Sequence, residues 1–129
     1  MATEHAESRD APQIRQGSIY WLQNCPPLDD DNEKDRPVIV VDDPKTLKGG
    51  GPVIVIACST KSRQSETDRI ALPDKGAIPQ TKSGLNRPTW AIPRWFFPVE
   101  RARLNEYKGH LTGSLLKAVI RAYLNRVKS

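Results

Sequence analysis

Arg36-Pro37-Val38-Ile39-Val40-Val41 and Pro52-Val53-Ile54-Val55-Ile56-Ala57-Cys58-Ser59-Thr60 are the two halves of the segment that decides the fold. Each is a continuous β-branched apolar run, too short for a helix of ordinary length and too apolar for a strand with one wet face. Such runs suit strands covered on both sides. Pro37 has no amide to give to a ladder, which places it at the first turn or the edge of its strand. Between the halves, Asp42 to Gly51 reads as a loop ending in three glycines, and a hairpin would bring the start of the first run beside the end of the second. The second run stops at Ala57 and changes abruptly to hydroxyl and basic residues, Ser59, Thr60 and Lys61.

Outward from this pair the chain continues in short strands. Gly17-Ser18-Ile19-Tyr20-Trp21-Leu22 is β-branched and aromatic and reads as a strand ended by Asn24-Cys25-Pro26-Pro27. Leu28 to Asp35 is an acid-rich loop. Lys61 to Thr67 reads as a mobile loop, Asp68 to Leu72 as a short strand and Pro73 to Asn86 as a loop turning at Gly76 and Gly84. Thr89 to Ile92 and Trp95 to Phe97 read as strand pieces, broken by Pro93 and closed by Pro98, and Tyr107 to Leu111 as a last strand. Leu115, Leu116, Val119, Ile120, Tyr123, Leu124 and Val127 fall on one stripe at helical spacing, with Thr112 or Ser114 as the cap. The stripe reads as core packing. The fold class expected is mainly β with a C-terminal α-helix, in one domain over residues 14–129 behind a disordered tail at 1–13.

Composition narrows the function. No window is apolar enough to span a membrane and the N-terminus has no apolar signal stretch, so the expectation is a cytoplasmic protein without membrane contact. Cys25 and Cys58 lack metal-site spacing and read as free thiols, with no metal expected. The net charge of +5 is unevenly spread: residues 1–43 hold 10 acids and 4 bases, a net of −6, whereas residues 44–129 hold 5 acids and 16 bases, a net of +11. A basic surface of this kind favours polyanions, although it also serves plain solubility. His5 reads as inert and His110 as a surface residue at a strand edge.

The chemistry-bearing pattern is at the strand ends. With the two runs antiparallel and adjacent, the Arg36 guanidinium comes within reach of the Ser59 and Thr60 hydroxyls, and such a trio suits a phosphate. A plainer reading of the same residues pairs Arg36 with Asp35 or Glu33 and lets Ser59 and Thr60 merely end a strand.

On these residues the chain resembles the MazF/PemK toxins. Gly17-Ser18-Ile19-Tyr20-Trp21 stands where that family opens with its glycine and aromatic strand. Arg36-Pro37-Val38 matches its Arg-Pro-Val strand, and Cys58-Ser59-Thr60 stands for its hydroxyl step. Gly109-His110-Leu111-Thr112 before Leu115-Leu116 matches its turn into the last helix. The resemblance covers about residues 14–128 and implies an SH3-like small barrel, a homodimer, and a cognate antitoxin partner. It also implies cleavage of single-stranded RNA by 2′-hydroxyl attack with no metal or organic cofactor. It makes Arg36, Ser59 and Thr60 the catalytic residues, with Lys61, Arg94 and Glu33 toward the RNA. Where many members carry an Asp-Gln pair this chain has Arg94-Trp95, and Glu33 or Asp31 is left as the base. Two other functions stay open on the same fold: inhibition of a protein target such as gyrase, and RNA binding by a basic barrel without cutting. Trp90, Trp95, Phe96 and Phe97 form an aromatic group expected in core or interface packing more than in base stacking.

Overall fold

A computed structural model describes residues 13–28 and 32–128. The expected tail, all but its last residue, and Asp31 lie outside the described residues. Six strands form one antiparallel sheet: β1 (Ser18–Cys25), β2 (Lys34–Val40), β3 (Val53–Ser59), β4 (Ile70–Leu72), β5 (Thr89–Val99) and β6 (Tyr107–His110). Their order across the sheet is β4-β5-β3-β2-β1-β6. The sheet curls into a half-barrel, and the C-terminal helix packs on one of its faces. That helix spans Gly113–Lys128 and follows a one-turn helix, α1 (Pro44–Lys48), so it is α2 here.

Alternation along β2 and β3 splits the core in two. Val38, Val40, Val53, Val55 and Ala57 join Tyr20, Leu22, Ile92 and Trp95 on one face. Ile39, Val41, Ile56 and Cys58 join Ile19, Leu72 and Ala91 on the other, where Leu115, Leu116, Val119, Ile120 and Tyr123 of α2 cover them. Both faces of the two central strands are therefore buried, which is why their apolar runs are unbroken. Cys25 and Cys58 are both free and buried.

Three local expectations change. The Asp42–Gly51 loop contains α1, because the Asp43 side chain accepts the Thr46 amide at 2.8 Å and Pro44 starts the turn. Pro93 and Pro98 do not break β5. Pro93 falls in the irregular register between Ala91 and Phe96, and past Ala91 the far side of β5 has no strand partner among the described residues, so a proline nitrogen can face outward there. The helical stripe is not all core: Leu124 and Val127 are 46% and 49% exposed.

The loop after β4 ties the two edge strands together. Lys82 offers its carbonyl to the His110 amide at 2.9 Å, and the Ser83 hydroxyl donates to the Pro73 carbonyl at 2.6 Å. Gly84 has a φ of +75°, and a Cβ there would stand 1.9 Å from the Lys108 carbonyl oxygen. Only glycine permits this approach of loop to β6. The loop thus becomes one wall of a groove at the end of the sheet where β2 begins and β3 ends.

Candidate active site

Register builds the site. Val38 pairs with Ala57 across β2 and β3, and continuing that ladder by two residues sets Arg36 opposite Ser59. On the outer sides, Leu22 pairs with Arg36 and Trp90 with Ser59. The expected juxtaposition of Arg36 with Ser59 and Thr60 is thus a consequence of the hairpin. Together they line one groove of about 380 Å³, whose wall is completed by the loop at Gly84 to Arg87 and by Lys108 of β6. Among the described residues, Lys34, Arg36, Arg87 and Lys108 give this lining four cationic side chains against one carboxylate, Asp35. A concave site with that excess attracts a polyanion.

The side chains have defined partners. Arg36 is 2% exposed and forms part of the floor. Its Nη1 donates to the Cys58 carbonyl at 3.1 Å, and its guanidinium carbon lies 5.0 Å from the centre of a Trp95 ring. Stacking on an indole offsets some of the cost of burying the charge. The Ser59 hydroxyl, 3% exposed, is held by a different guanidinium: Arg63 Nε donates to its oxygen at 3.1 Å and the Lys61 amide at 3.0 Å. Arg63 also lies against this indole, 4.7 Å from a Trp95 ring centre. Thr60 and Lys61 are exposed.

The remaining expected residues stand elsewhere. Arg94 lies on β5 and is engaged by Glu66, with Nε 2.8 Å from both carboxylate oxygens and Nη2 in contact with Oε2. Its guanidinium is 5.9 Å from the Trp95 ring, so three arginines surround that indole. Arg94, Lys61 and Glu33 do not contribute to the groove lining described above; Glu33 is exposed just before β2. His110 bonds the Tyr107 hydroxyl at 2.9 Å.

Burial pushes the Cys58 thiol far above its ordinary range despite the opposing pull of Arg36, and raises Cys25 for the same reason. Neither is a nucleophile at neutral pH. The Arg94 contact holds Glu66 below the usual carboxylate range, and Arg126 does the same for Asp68, which it meets at 2.6 Å. Among the described residues no group of three or more histidine, cysteine or acidic side chains gathers as a metal site would require.

The sequence pattern points to none of Arg63, Arg87 and Lys108 as parts of this region, and it places Trp95 only by the resemblance, in the Arg94-Trp95 step that stands for an Asp-Gln pair. Their signals are weak: a basic residue four places after a strand-terminal serine, and a tryptophan two places after a proline in a strand. Only pairing across the sheet makes them neighbours.

The curled sheet, the capping helix and the basic strand-end groove define a small β half-barrel protein closed by a C-terminal helix. The chain belongs to the PemK-like, MazF-like toxins of type II toxin–antitoxin systems, whose family model matches residues 15–125. Solved structures share the fold. A MazF crystal structure from Deinococcus radiodurans superposes with a TM-score of 0.67 at 14% identity, covering 92% of this chain and 98% of that one. The Mycobacterium tuberculosis toxin MazF-mt6 gives 0.63 at 21% identity over 86% and 96%. An endoribonuclease in complex with its cognate antitoxin, from a mycobacterial species, gives 0.67 at 12% identity over 89% and 95%. No curated protein matches the chain.

Proposed function

We propose that this protein is a toxin endoribonuclease that cuts single-stranded RNA at a short sequence without a metal, acts in the cytoplasm as a homodimer, and is neutralised by a cognate antitoxin. The observation that carries the reading is the convergence of Arg36, Ser59 and Thr60 with the cations Lys34, Arg87 and Lys108 on one groove. The ribose 2′-oxygen attacks the adjacent phosphorus, which restricts the substrate to RNA. Its proton passes to Asp35, the carboxylate in the groove lining. The phosphorus–O5′ bond breaks and the 5′-oxygen takes a proton from water, whose hydroxide takes up the proton held by Asp35, leaving a 2′,3′-cyclic phosphate, a 5′-hydroxyl and the carboxylate restored. Arg36 offsets the charge that builds on phosphorus, and the hydroxyls of Ser59 and Thr60 donate to the non-bridging oxygens. Lys34, Arg87 and Lys108 hold flanking phosphates.

The test is a mixed-sequence RNA incubated with purified protein and chelator, with the ends mapped. Cuts at a recurring short sequence carrying cyclic phosphate are expected, and Arg36→Ala is expected to slow them by about 10²-fold or more. Intact RNA with the wild type would remove the reading. The deep burial of Arg36, at 2% exposure, favours a second reading, a basic barrel that binds RNA and leaves it whole. It predicts salt-dependent binding in the same samples with no new ends.

A further inference from the structure

Arg63 is built into the molecule with unusual care. It sits four residues past Ser59 in the β3–β4 loop, at a φ of +46°, a left-handed conformation that a long side chain rarely adopts. The loop is fastened on both sides of it. The Glu66 amide donates to the Arg63 carbonyl at 2.8 Å, and the Glu66 carboxylate grips Arg94 of β5. Asp68 is bound by Arg126 of α2, and the Arg69 Nη1 donates to the Gln64 and Glu66 carbonyls at 3.3 and 3.2 Å. The outcome is a guanidinium laid on Trp95 with its Nε aimed at the Ser59 oxygen.

That contact has a chemical consequence. A serine hydroxyl has two lone pairs and one proton. Here the Lys61 amide and Arg63 Nε occupy the acceptor side, at 3.0 and 3.1 Å. The proton is what Ser59 has left to give. A cation on the oxygen also strengthens it as a donor. We infer that Arg63 is a positioning residue that holds the Ser59 hydroxyl as a hydrogen-bond donor to a non-bridging phosphoryl oxygen in the groove. Ser59 is in this account neither base nor nucleophile. The inference rests on the ribonuclease reading above and adds to it the state of one hydroxyl and the residue that sets it.

The test uses full-length protein and RNA substrates carrying one phosphorothioate of defined configuration at the scissile position. Wild type is expected to prefer one diastereomer. Arg63→Ala is expected to lower kcat roughly 10- to 100-fold with KM within about twofold, and to flatten the diastereomer preference. Ser59→Ala should do the same. The double variant should be no slower than Ser59→Ala alone, since one residue acts through the other. Arg63→Lys, which keeps charge and stem, should recover part of kcat, and thermal melting checks that each variant is folded. If Arg63→Ala melts out, Arg63→Gln and Arg63→Lys carry the same comparison. Multiplicative losses in the double variant would overturn the inference, as would an Arg63 variant with wild-type kcat and preference. A wild type that cuts no RNA fails earlier and visibly: it removes the ribonuclease reading, and this inference falls with it.

Discussion

At the residue scale the molecule turns on how a buried guanidinium is tolerated. Arg36 lies beneath the surface, bonded to a carbonyl and stacked on Trp95, which also bears Arg63 and approaches Arg94. A planar, weakly hydrated cation suits such a position, and an ammonium does not. Arg36→Lys is therefore expected to lower stability by roughly 1–3 kcal/mol, through the lost stack and a poorly satisfied buried charge. It should also slow RNA cleavage at least about tenfold. Denaturant melts and cleavage rates measured side by side check this, and a variant equal to wild type in both would show that the fork geometry is immaterial. The meeting of Arg36 with Ser59 and Thr60 could be expected at this scale because strand-end hydroxyls and an Arg-Pro step are local signals. The place of Arg63 could not, since its partner is reached by a loop that doubles back.

At the scale of elements, the β3–β4 loop is the informative one. Its polarity suggests a mobile segment, yet it is tied to β5 and to α2 by two carboxylate–guanidinium contacts. Both carboxylates titrate below their ordinary values of 4.5 and 3.8. A carboxylate whose folded-state value is lowered adds stability that is fully present above its unfolded value and is lost as pH falls through the folded one. The tethers are thus intact at neutral pH and should release in acid, starting below about pH 4.5. Hydrogen exchange of amides 61–69 is expected to quicken as pH drops through that window, after correction for intrinsic rates. Glu66→Gln should show the faster exchange already at pH 7. Unchanged protection in Glu66→Gln would mean that the backbone bonds alone hold the loop. The strands β1 to β3 were readable in advance to within two residues at most ends, because alternation and turn chemistry are properties of neighbouring residues. The unbroken course of β5 was not, because proline is forbidden or allowed according to what lies on the far side of the strand.

At the scale of the whole molecule, charge and uncovered apolar surface are what remain. Among the described residues the groove sets four cations against one carboxylate, and each phosphate they neutralise on a single strand adds about 0.7 to the salt dependence of binding. Replacing Lys34, Arg87 and Lys108 by alanine together should reduce the slope of log affinity against log salt by about 2, with the melting temperature little changed. Fluorescence anisotropy with a non-cleavable 2′-O-methyl RNA measures it, and an unchanged slope would place the RNA elsewhere. Phe96 packs edge-on against Tyr123, with ring centres 5.4 Å apart, and stays 38% exposed, and Leu124 and Val127 of α2 are exposed as well. The proposed homodimer is expected to cover these residues. Leu124→Glu combined with Val127→Glu should then give the mass of a monomer in light scattering, while a persistent dimer would put the interface on another face.

The amino-acid sequence by itself determined the inventory: short strands doubly buried at their centre, one amphipathic C-terminal helix, a basic C-terminal two thirds, and an arginine and two hydroxyls placed at strand ends. Periodicity, turn residues and charge are written in nearest neighbours and need no partner to be read. The tertiary structure decided which groups meet. It set Arg36 under Trp95, gave the Ser59 oxygen to Arg63, bound Arg94 to Glu66, and closed the groove with a loop that only glycine at 84 lets approach β6. Those are contacts between residues far apart along the chain, fixed by strand register and close packing, and no local pattern encodes them.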